Sequence, residues 1–104
     1  MYEFLNTIHN AYTNLAPVIR KHGGKVDLET LYDELKKELN AKTIAEVPPE
    51  RIEELYRDIL ILLKLGILKC EEEMDPESLE EYNVLILDEE AAKEWERRLK
   101  VLGT

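Results

Sequence analysis

One stretch, residues 48–68, constrains the fold of this chain most, because it carries a helix start, an apolar helical face and a stop in succession. Pro48 and Pro49 cannot continue a preceding helix, whereas proline is tolerated in a first turn, where its missing N–H would have no partner. At about 100° per residue, the residues that follow form one broad apolar face. That face comprises Ile52, Leu55, Tyr56, Ile59, Leu60, Leu62 and Leu63. Gly66 then accommodates a positive φ. The pattern predicts a helix over residues 49–65 whose apolar face lies in the core.

The chain on either side of this helix shows further helical and strand patterns. Predicted helices cover about residues 2–22, 28–39 and 89–102, and the predicted strands of a C-terminal antiparallel hairpin cover about 67–73 and 83–88. The order of these elements predicts a single domain of the α+β class.

Short signals refine these boundaries. Asp27 and Asp88 directly precede two predicted helices and are good N-cap residues. Lys25 and Val26 are predicted to form a short strand. Pro17 lies inside the first predicted helix, so we expect a bend or a new helix start near Asn14.

Length and composition exclude several classes of protein. A chain of 104 residues is long enough for one core without disulfides or a metal. Cys70 is the only cysteine, which is typical of a reduced, cytoplasmic protein, and we expect it to be a small core residue rather than a nucleophile. No apolar run approaches the roughly 20 residues that span a bilayer, so we expect no membrane partner. The absence of glutamine and a charged fraction of 36% are compatible with a thermophilic source.

Three stretches carry a resemblance to a known superfamily. The stretch from Leu15 to Leu39, with an apolar helix, two glycines, Val26-Asp27-Leu28 and a helix with Leu31 and Leu35, looks like the first two helices of winged helix-turn-helix domains. The segment Leu62–Leu68, with a leucine, then Gly66, then two aliphatic residues, is similar to the end of the third helix of winged helix-turn-helix domains as it enters the wing. Leu87-Asp88-Glu89-Glu90-Ala91 resembles the Leu-Thr-x-Glu-Gly sequence that opens the last helix in the PadR-like and MarR-like branches, with Ala91 in place of glycine. The resemblance covers nearly all of residues 1–104 and implies a winged-helix domain with a wing hairpin and a final helix.

This resemblance implies duplex DNA binding, and hence transcription regulation, through the third helix and the wing. The basic residues available for such a contact are Arg51, Arg57 and Lys64, with Arg20, Lys21 and Lys25 as helpers. The charge of the chain argues against it, because the formal net charge is −9 and phosphate contacts depend on lysine and arginine. Between residues 71 and 81, the predicted wing has seven carboxylates and no basic residue.

Protein–protein contact is therefore the leading functional prediction. Residues 1–19 hold one charged side chain, Glu3, and a helix surface without charges is typical of a covered one. The predicted interface comprises Phe4, Asn6, Asn10, Thr13, Asn14, Trp95 and Leu99, with Leu102 beside them. A second copy of the chain, giving a homodimer, or another protein would cover it. The alternative is a first helix enclosed between the other elements of its own domain.

Three further hypotheses follow from single features. Ile61, placed on the outer face of the third helix between Arg57 and Lys64, is either a hydrophobic anchor for a partner or a stray exposed aliphatic residue. The acidic wing permits a minor alternative, an acidic DNA-mimic inhibitor. His9 and His22 have no acidic or cysteine partner at catalytic or metal-ligand spacing, so we expect no enzymatic activity, no cofactor, no metal and no small-molecule substrate. We expect His22 to interact with the end of its own helix.

Overall fold

The computed structural model describes residues 2–103, and the side chains of residues 3–101. Its elements are α1 (Tyr2–Lys21), β1 (Lys25–Asp27), α2 (Leu28–Leu39), a short 3-10 helix (Ile44–Glu46), α3 (Pro49–Lys64), β2 (Leu68–Met74), β3 (Glu81–Leu87) and α4 (Glu89–Gly103). The predicted α+β class is confirmed. Over the described residues, no helix is both long enough and apolar enough to cross a membrane.

The three strands form one antiparallel sheet in the order β1-β3-β2. Val26 of β1 pairs with Leu85 of β3, and Leu68 of β2 pairs with Leu87. Only the sheet end that lies over the helices is buried, because Val84, Leu85 and Leu87 are enclosed whereas β3 before Val84 is exposed. The hairpin of β2 and β3 therefore projects beyond the core.

Cys70 differs from its prediction. We expected a small core residue, but Cys70 is exposed. Leu68, two residues earlier on the same strand, is buried. Because side chains alternate along a strand, Cys70 shares a face with Leu68, and its pairing partner Leu85 on the central strand is buried too, but β2 is an edge strand of the sheet. The prediction was wrong because periodicity gives the face of a strand, not how far the core extends beneath it.

The core lies between α1, α3 and the buried end of the sheet. Ile19 and Leu62 are completely enclosed, and Leu68 nearly so. Around them pack Leu15, Val26, Leu31, Ile59, Ile67, Leu85, Leu87 and Ala92, among others. The two helices α1 and α3 make the most extensive helix–helix contact of the fold.

The buried face of α3 is rotated from the predicted one. Ile59 and Leu62 are buried as expected, but Tyr56 and Leu60 are exposed. In their place Asp58, which is not part of the predicted apolar face, is only 3% exposed. Ile61 is not an outer-face residue either, since it is half-buried and packs against the core cluster. The prediction assumed that only apolar residues of α3 face the core, and the buried carboxylate of Asp58 does not follow that pattern.

Helix ends follow the predicted capping chemistry. The Asp27 carboxylate accepts a hydrogen bond from the Thr30 N–H at 2.7 Å, and Asp88 Oδ1 accepts one from the Ala91 N–H at 3.1 Å. At Gly66, φ is +75°, and the next N–H, of Ile67, donates to the Leu62 carbonyl. These contacts satisfy polar backbone groups that would otherwise be left without partners at the helix ends.

The predicted new helix start near Asn14 is wrong, whereas the bend at Pro17 stays a prediction. α1 runs without a restart from Tyr2 to Lys21, and Asn14 does not cap a second segment. Proline removes the hydrogen bond to the carbonyl of residue 13, and Thr13 lies on the exposed side of the helix, where water can satisfy that carbonyl.

Candidate interaction surfaces

A polar network fixes α4 against α1. Arg20 donates to both carboxylate oxygens of Glu89, with 2.9 Å between Nη2 and Oε1. The hydroxyl of Tyr12 accepts from Arg20 and donates to Glu96 at 2.5 Å. Burial raises the pKa of Tyr12 above its ordinary value, and the hydrogen bond to Glu96 adds to the shift. Because Arg20 meets the start of α4 and Tyr12 meets its middle, the two helices are antiparallel.

This antiparallel arrangement brings the first turns of α1 and the last turns of α4 to the same end of the molecule. We call the apolar residues there, Phe4, Leu5 and Leu99, the helix-end patch. Phe4 is 67% exposed, while Leu5 and Leu99 are half-buried. Val101, which is 85% exposed, lies instead on the side of α4 that carries Glu94, Arg97 and Arg98. Phe4 has the helical phase of Ile8, Ala11 and Leu15, which are buried, so the core stripe of α1 continues past the point where the domain covers it.

The outer face of α1 carries a second feature, an uncharged stripe of Asn6, Asn10, Thr13 and Pro17. All four residues are exposed and recur at helical spacing. Most exposed faces of this chain carry glutamate and lysine, as α2 does at Glu29, Asp33 and Lys37. This stripe and the helix-end patch lie on different sides of α1.

The predicted interface residues are therefore divided among several places. Phe4 and Leu99 lie in the helix-end patch, and Asn6, Asn10 and Thr13 lie in the uncharged stripe. Trp95 is half-buried and packs against the core cluster. Its Nε1 is enclosed and has no hydrogen-bond partner among the residues that the structure describes. The side chain of Leu102 lies outside the described residues.

The basic residues that a DNA contact would need are mostly paired with carboxylates. Arg51 lies 2.9 Å from Glu38 and 3.6 Å from Glu54. The same is true of the predicted helpers, since Arg20 pairs with Glu89, Lys21 with Glu34 and Lys25 with Glu73.

The outer face of α3 has little positive charge. It presents Glu53, Tyr56, Arg57, Leu60 and Lys64, all of which are exposed. Carboxylates near basic side chains reduce the attraction of a surface for phosphate. The structure thus leaves Arg57 and Lys64 as the basic groups of this face.

The projecting hairpin is acidic on its exposed surface, with apolar side chains between the carboxylates. Met74, Leu79 and Tyr82 are exposed there. Lys69 is paired with Asp88 at 3.2 Å, close to the body of the domain. This surface has the wrong charge for a wing that lies on a phosphate backbone.

The histidines do not assemble a site. His22 donates its backbone N–H to the Ile19 carbonyl at the end of α1, as predicted, while its side-chain Nε2 lies 3.2 Å from Glu34 Oε1 of α2. His9 is exposed on α1. Within residues 2–103, no group of three or more histidine, cysteine, aspartate or glutamate side chains is arranged to hold a metal ion.

Sequence reasoning missed a polar contact between α1 and α3. Asn14 Nδ2 donates to Asp58 Oδ2 at 3.2 Å, and the second oxygen, Oδ1, is enclosed without a hydrogen-bond partner among the described residues. The nearest cation to Oδ1 is 3.6 Å away, at Arg57 Nη2, which is too far for a good hydrogen bond. The only sign of this contact in the sequence is the position of Asp58, next to Ile59 and one turn before Leu62, both of which belong to the predicted apolar face.

Asp58 and Asn14 also line an open cavity of about 700 Å³ between α1, α2 and α3. Its apolar wall comprises Leu15, Val18, Leu31, Leu35 and Leu55. Its charged lining comprises Lys21, Lys37, Arg51, Glu34, Glu38, Glu54 and Asp58. The pKa of Glu34 lies below its ordinary value because Lys21, and after it His22, donates a hydrogen bond to the carboxylate. The cavity is thus lined by apolar side chains and by charged side chains, most of which are paired with one another.

With this geometry established, comparison with known proteins adds no relative, because no family model, no curated protein and no solved structure matches the chain. Over residues 2–103 the chain is a mixed α+β domain of four α-helices, one short 3-10 helix and a three-stranded antiparallel sheet.

Proposed function

We propose that this protein is a non-enzymatic winged helix-turn-helix protein that acts by protein–protein contact and pairs with a second copy of itself. Support for the winged-helix assignment comes from the element order, with α1, β1, α2 and α3 ahead of a hairpin whose second strand pairs with β1. The sequence motifs at residues 62–68 and 87–91 point the same way.

The observation that carries the pairing proposal is the exposure of Phe4. This side chain continues the apolar stripe of Ile8 and Leu15, yet two thirds of it is exposed, at the end of the molecule where the last turns of the antiparallel α4 also lie. Exposed apolar residues grouped at one end of a domain are typical of an interface. A two-fold axis through the helix-end patch brings the same residues of both copies together, as an isologous dimer requires.

The uncharged stripe is a separate surface, because it lies on a different side of α1 from the helix-end patch. A second chain that packs on Asn6, Asn10 and Thr13 would leave no charge to desolvate without a partner, whereas one on the charged outer faces of α2 and α3 would. The helix-end patch therefore carries the proposed self-pairing, and the stripe is a surface that another chain could cover.

The test is the mass in solution by light scattering over a range of protein concentrations. We expect a dimer for the natural sequence and a monomer for Phe4→Glu. Asn10→Glu with Thr13→Lys changes the stripe on a different side of α1, and a lowered dimer affinity in this variant would place a contact on the stripe as well. Leu60→Glu is the matched control, because it places the same charge at an exposed apolar position on α3. A monomer for the natural sequence at every concentration, or a dimer for Phe4→Glu, contradicts the proposal.

The alternative is a transcription regulator that binds duplex DNA through α3 and the wing. The exposure of Arg57 and Lys64 on the outer face of α3 favours it. Binding to a generic duplex between roughly 50 and 200 mM salt tests it, because phosphate contacts weaken steeply over that range. Salt-sensitive binding that is lost in Arg57→Ala with Lys64→Ala would favour this alternative, and so would its loss in Arg51→Ala with Arg57→Ala. Unchanged affinity in both double variants excludes it.

A further inference from the structure

We propose that the outer edge of β2 binds an extended, basic segment of another protein, which pairs with β2 as a fourth strand of the sheet. In the order β1-β3-β2, β3 lies on one side of β2, and no strand of the described residues lies on the other. A strand at a sheet edge presents unpaired backbone N–H and C=O groups that an added strand can satisfy. The proposal goes beyond self-association, because β2 is not part of the helix-end patch.

This edge is long and regular. All seven residues of Leu68–Met74 pair in unbroken register with β3, so the strand has no bulge. It contains no proline either. Natural edge strands are commonly short, bulged or interrupted by proline, and each of these features hinders pairing with another chain. Because β2 has none of them, its side chains decide which strand can be added.

Three consecutive glutamates give the edge its charge. Glu71, Glu72 and Glu73 alternate between the two faces of the sheet, so an added strand would meet a carboxylate on either face. Glu73 is paired with Lys25 and accepts from the Tyr82 hydroxyl at 3.3 Å. Glu71 and Glu72 are exposed and have no paired cation among the described residues. Because opposite charges in adjacent strands stabilise their pairing, lysine or arginine in the added strand would supply the missing partners.

The same charges disfavour a second copy of this chain as the occupant. Two β2 edges that pair with each other would place the three glutamates of one copy beside those of the other, and like charges in neighbouring strands are destabilising. The surrounding hairpin has the same preference, since residues 71–81 include seven carboxylates and no basic residue. The charge of the hairpin therefore attracts a basic segment and repels an acidic one.

An exposed methionine defines a further requirement on the segment. Met74 is 54% exposed and, by alternation along the strand, lies on the same face of the sheet as Glu72. Residues two apart on an added strand also share a face. A basic residue beside Glu72, with an apolar residue two positions away beside Met74, would thus match this edge in both charge and polarity.

The experiment titrates capped peptides into the full chain and follows its backbone amide signals by NMR. The lysine peptide reads valine, threonine, lysine, lysine, threonine, valine, so a lysine and a valine match Glu72 and Met74 in either strand direction. We expect it to shift the amide signals of β2 and to slow their exchange with solvent. Replacing both threonines by proline gives the proline peptide, which keeps the charge but lacks two N–H donors and should bind at least about fivefold more weakly. Replacing both lysines by glutamate should abolish binding.

Two variants test the assigned carboxylates. Glu72→Lys reverses a charge on the edge and should weaken binding of the lysine peptide at least about fivefold. Glu80→Lys is the matched control, because it makes the same change at an exposed position of the hairpin turn, outside β2. At about 150 mM salt, charges beyond about 8 Å are largely screened, so this control should change the affinity by less than about twofold.

Equal affinity of the natural protein for the lysine and proline peptides would overturn the proposal, because attraction between charges would then explain the binding without an added strand. Unshifted β2 signals with the lysine peptide would do the same, and so would an unchanged affinity in Glu72→Lys. If the β2 signals shift when the protein alone is diluted, a second copy covers this edge and the proposal is wrong. If Glu72→Lys does not fold, the peptide comparison on the natural chain still decides the question.

Discussion

Leu60 and Leu62 lie two residues apart in α3, yet Leu60 is 57% exposed and Leu62 is completely buried. Replacing each leucine by alanine therefore separates the contribution of burial to the free energy of unfolding from that of helix propensity. Leu62→Ala removes a side chain enclosed by the core and leaves a cavity, which costs about 2–5 kcal/mol. Leu60→Ala should change the free energy of unfolding by less than about 0.5 kcal/mol.

Urea unfolding of the two alanine variants measures this difference. A comparable loss of stability in both would mean that Leu60 is enclosed in the protein in solution, either by its own domain or by a partner. Because both changes replace leucine by alanine in one helix, the helical propensity terms cancel.

The hydrogen bond from Asn14 to Asp58 predicts a second matched pair. Asn14→Ala leaves a buried carboxylate without its amide donor, and we expect a loss of about 1–3 kcal/mol. Asn10→Ala, one turn earlier on the exposed stripe, should stay within about 0.5 kcal/mol of the natural sequence. Thermal unfolding of the monomer measures both. Equal losses of stability in the two variants would argue that the hydrogen bond from Asn14 does not stabilise the buried Asp58.

The N-cap at Asp27 predicts a dependence of stability on pH. The pKa of Asp27 lies below its ordinary value of 3.8 because Thr30 donates to its carboxylate. A lowered folded-state pKa means that the stabilisation is complete above the unfolded value and is lost as the pH falls through the folded one. Asp27→Ala should cost about 1 kcal/mol at pH 7.

Unfolding measured at several pH values checks this sign. The difference in free energy between the natural sequence and Asp27→Ala should shrink below pH 3.8. Glu29→Ala, in the first turn of the same helix, serves as the control and should show a smaller effect at pH 7. A difference that grows on acidification would contradict the assigned cap.

The exposure of Cys70 predicts ready chemical access. A thiol reagent should modify Cys70 in the native protein at a rate close to that of a small free thiol, without prior unfolding. Cys70→Ser should alter stability by less than about 0.5 kcal/mol. If Cys70 is instead modified at the rate of unfolding, its side chain is enclosed in the native protein and the prediction is wrong.

The local elements of this fold could be predicted because their signals are local. The helix start at Pro49, the caps at Asp27 and Asp88 and the stop at Gly66 depend on neighbouring residues along the chain, and each is observed. Pro17 is the exception. The stability that it costs α1 depends on whether the unpaired carbonyl of residue 13 faces water, and packing decides which side of the helix does so.

The candidate sites could be predicted only in part. The uncharged outer face of α1 is visible in the sequence, because the absence of charge between residues 4 and 19 needs no structure. The helix-end patch is not visible, since Phe4 and Leu99 are brought to the same end of the molecule only through the contacts of Arg20 and Tyr12 with α4. The Asn14–Asp58 contact joins residues 44 positions apart and leaves no local pattern.

The sequence by itself determined the helices, the strands, their ends and the α+β class, because capping, proline and glycine conformation and apolar periodicity act over a few residues. Tertiary structure decided the rotation of α3 about its axis, the exposure of Cys70 and Leu60, and the burial of Asp58. Those outcomes depend on where other elements end and which side chains they offer, and a buried carboxylate is tolerated only where a distant residue donates to it.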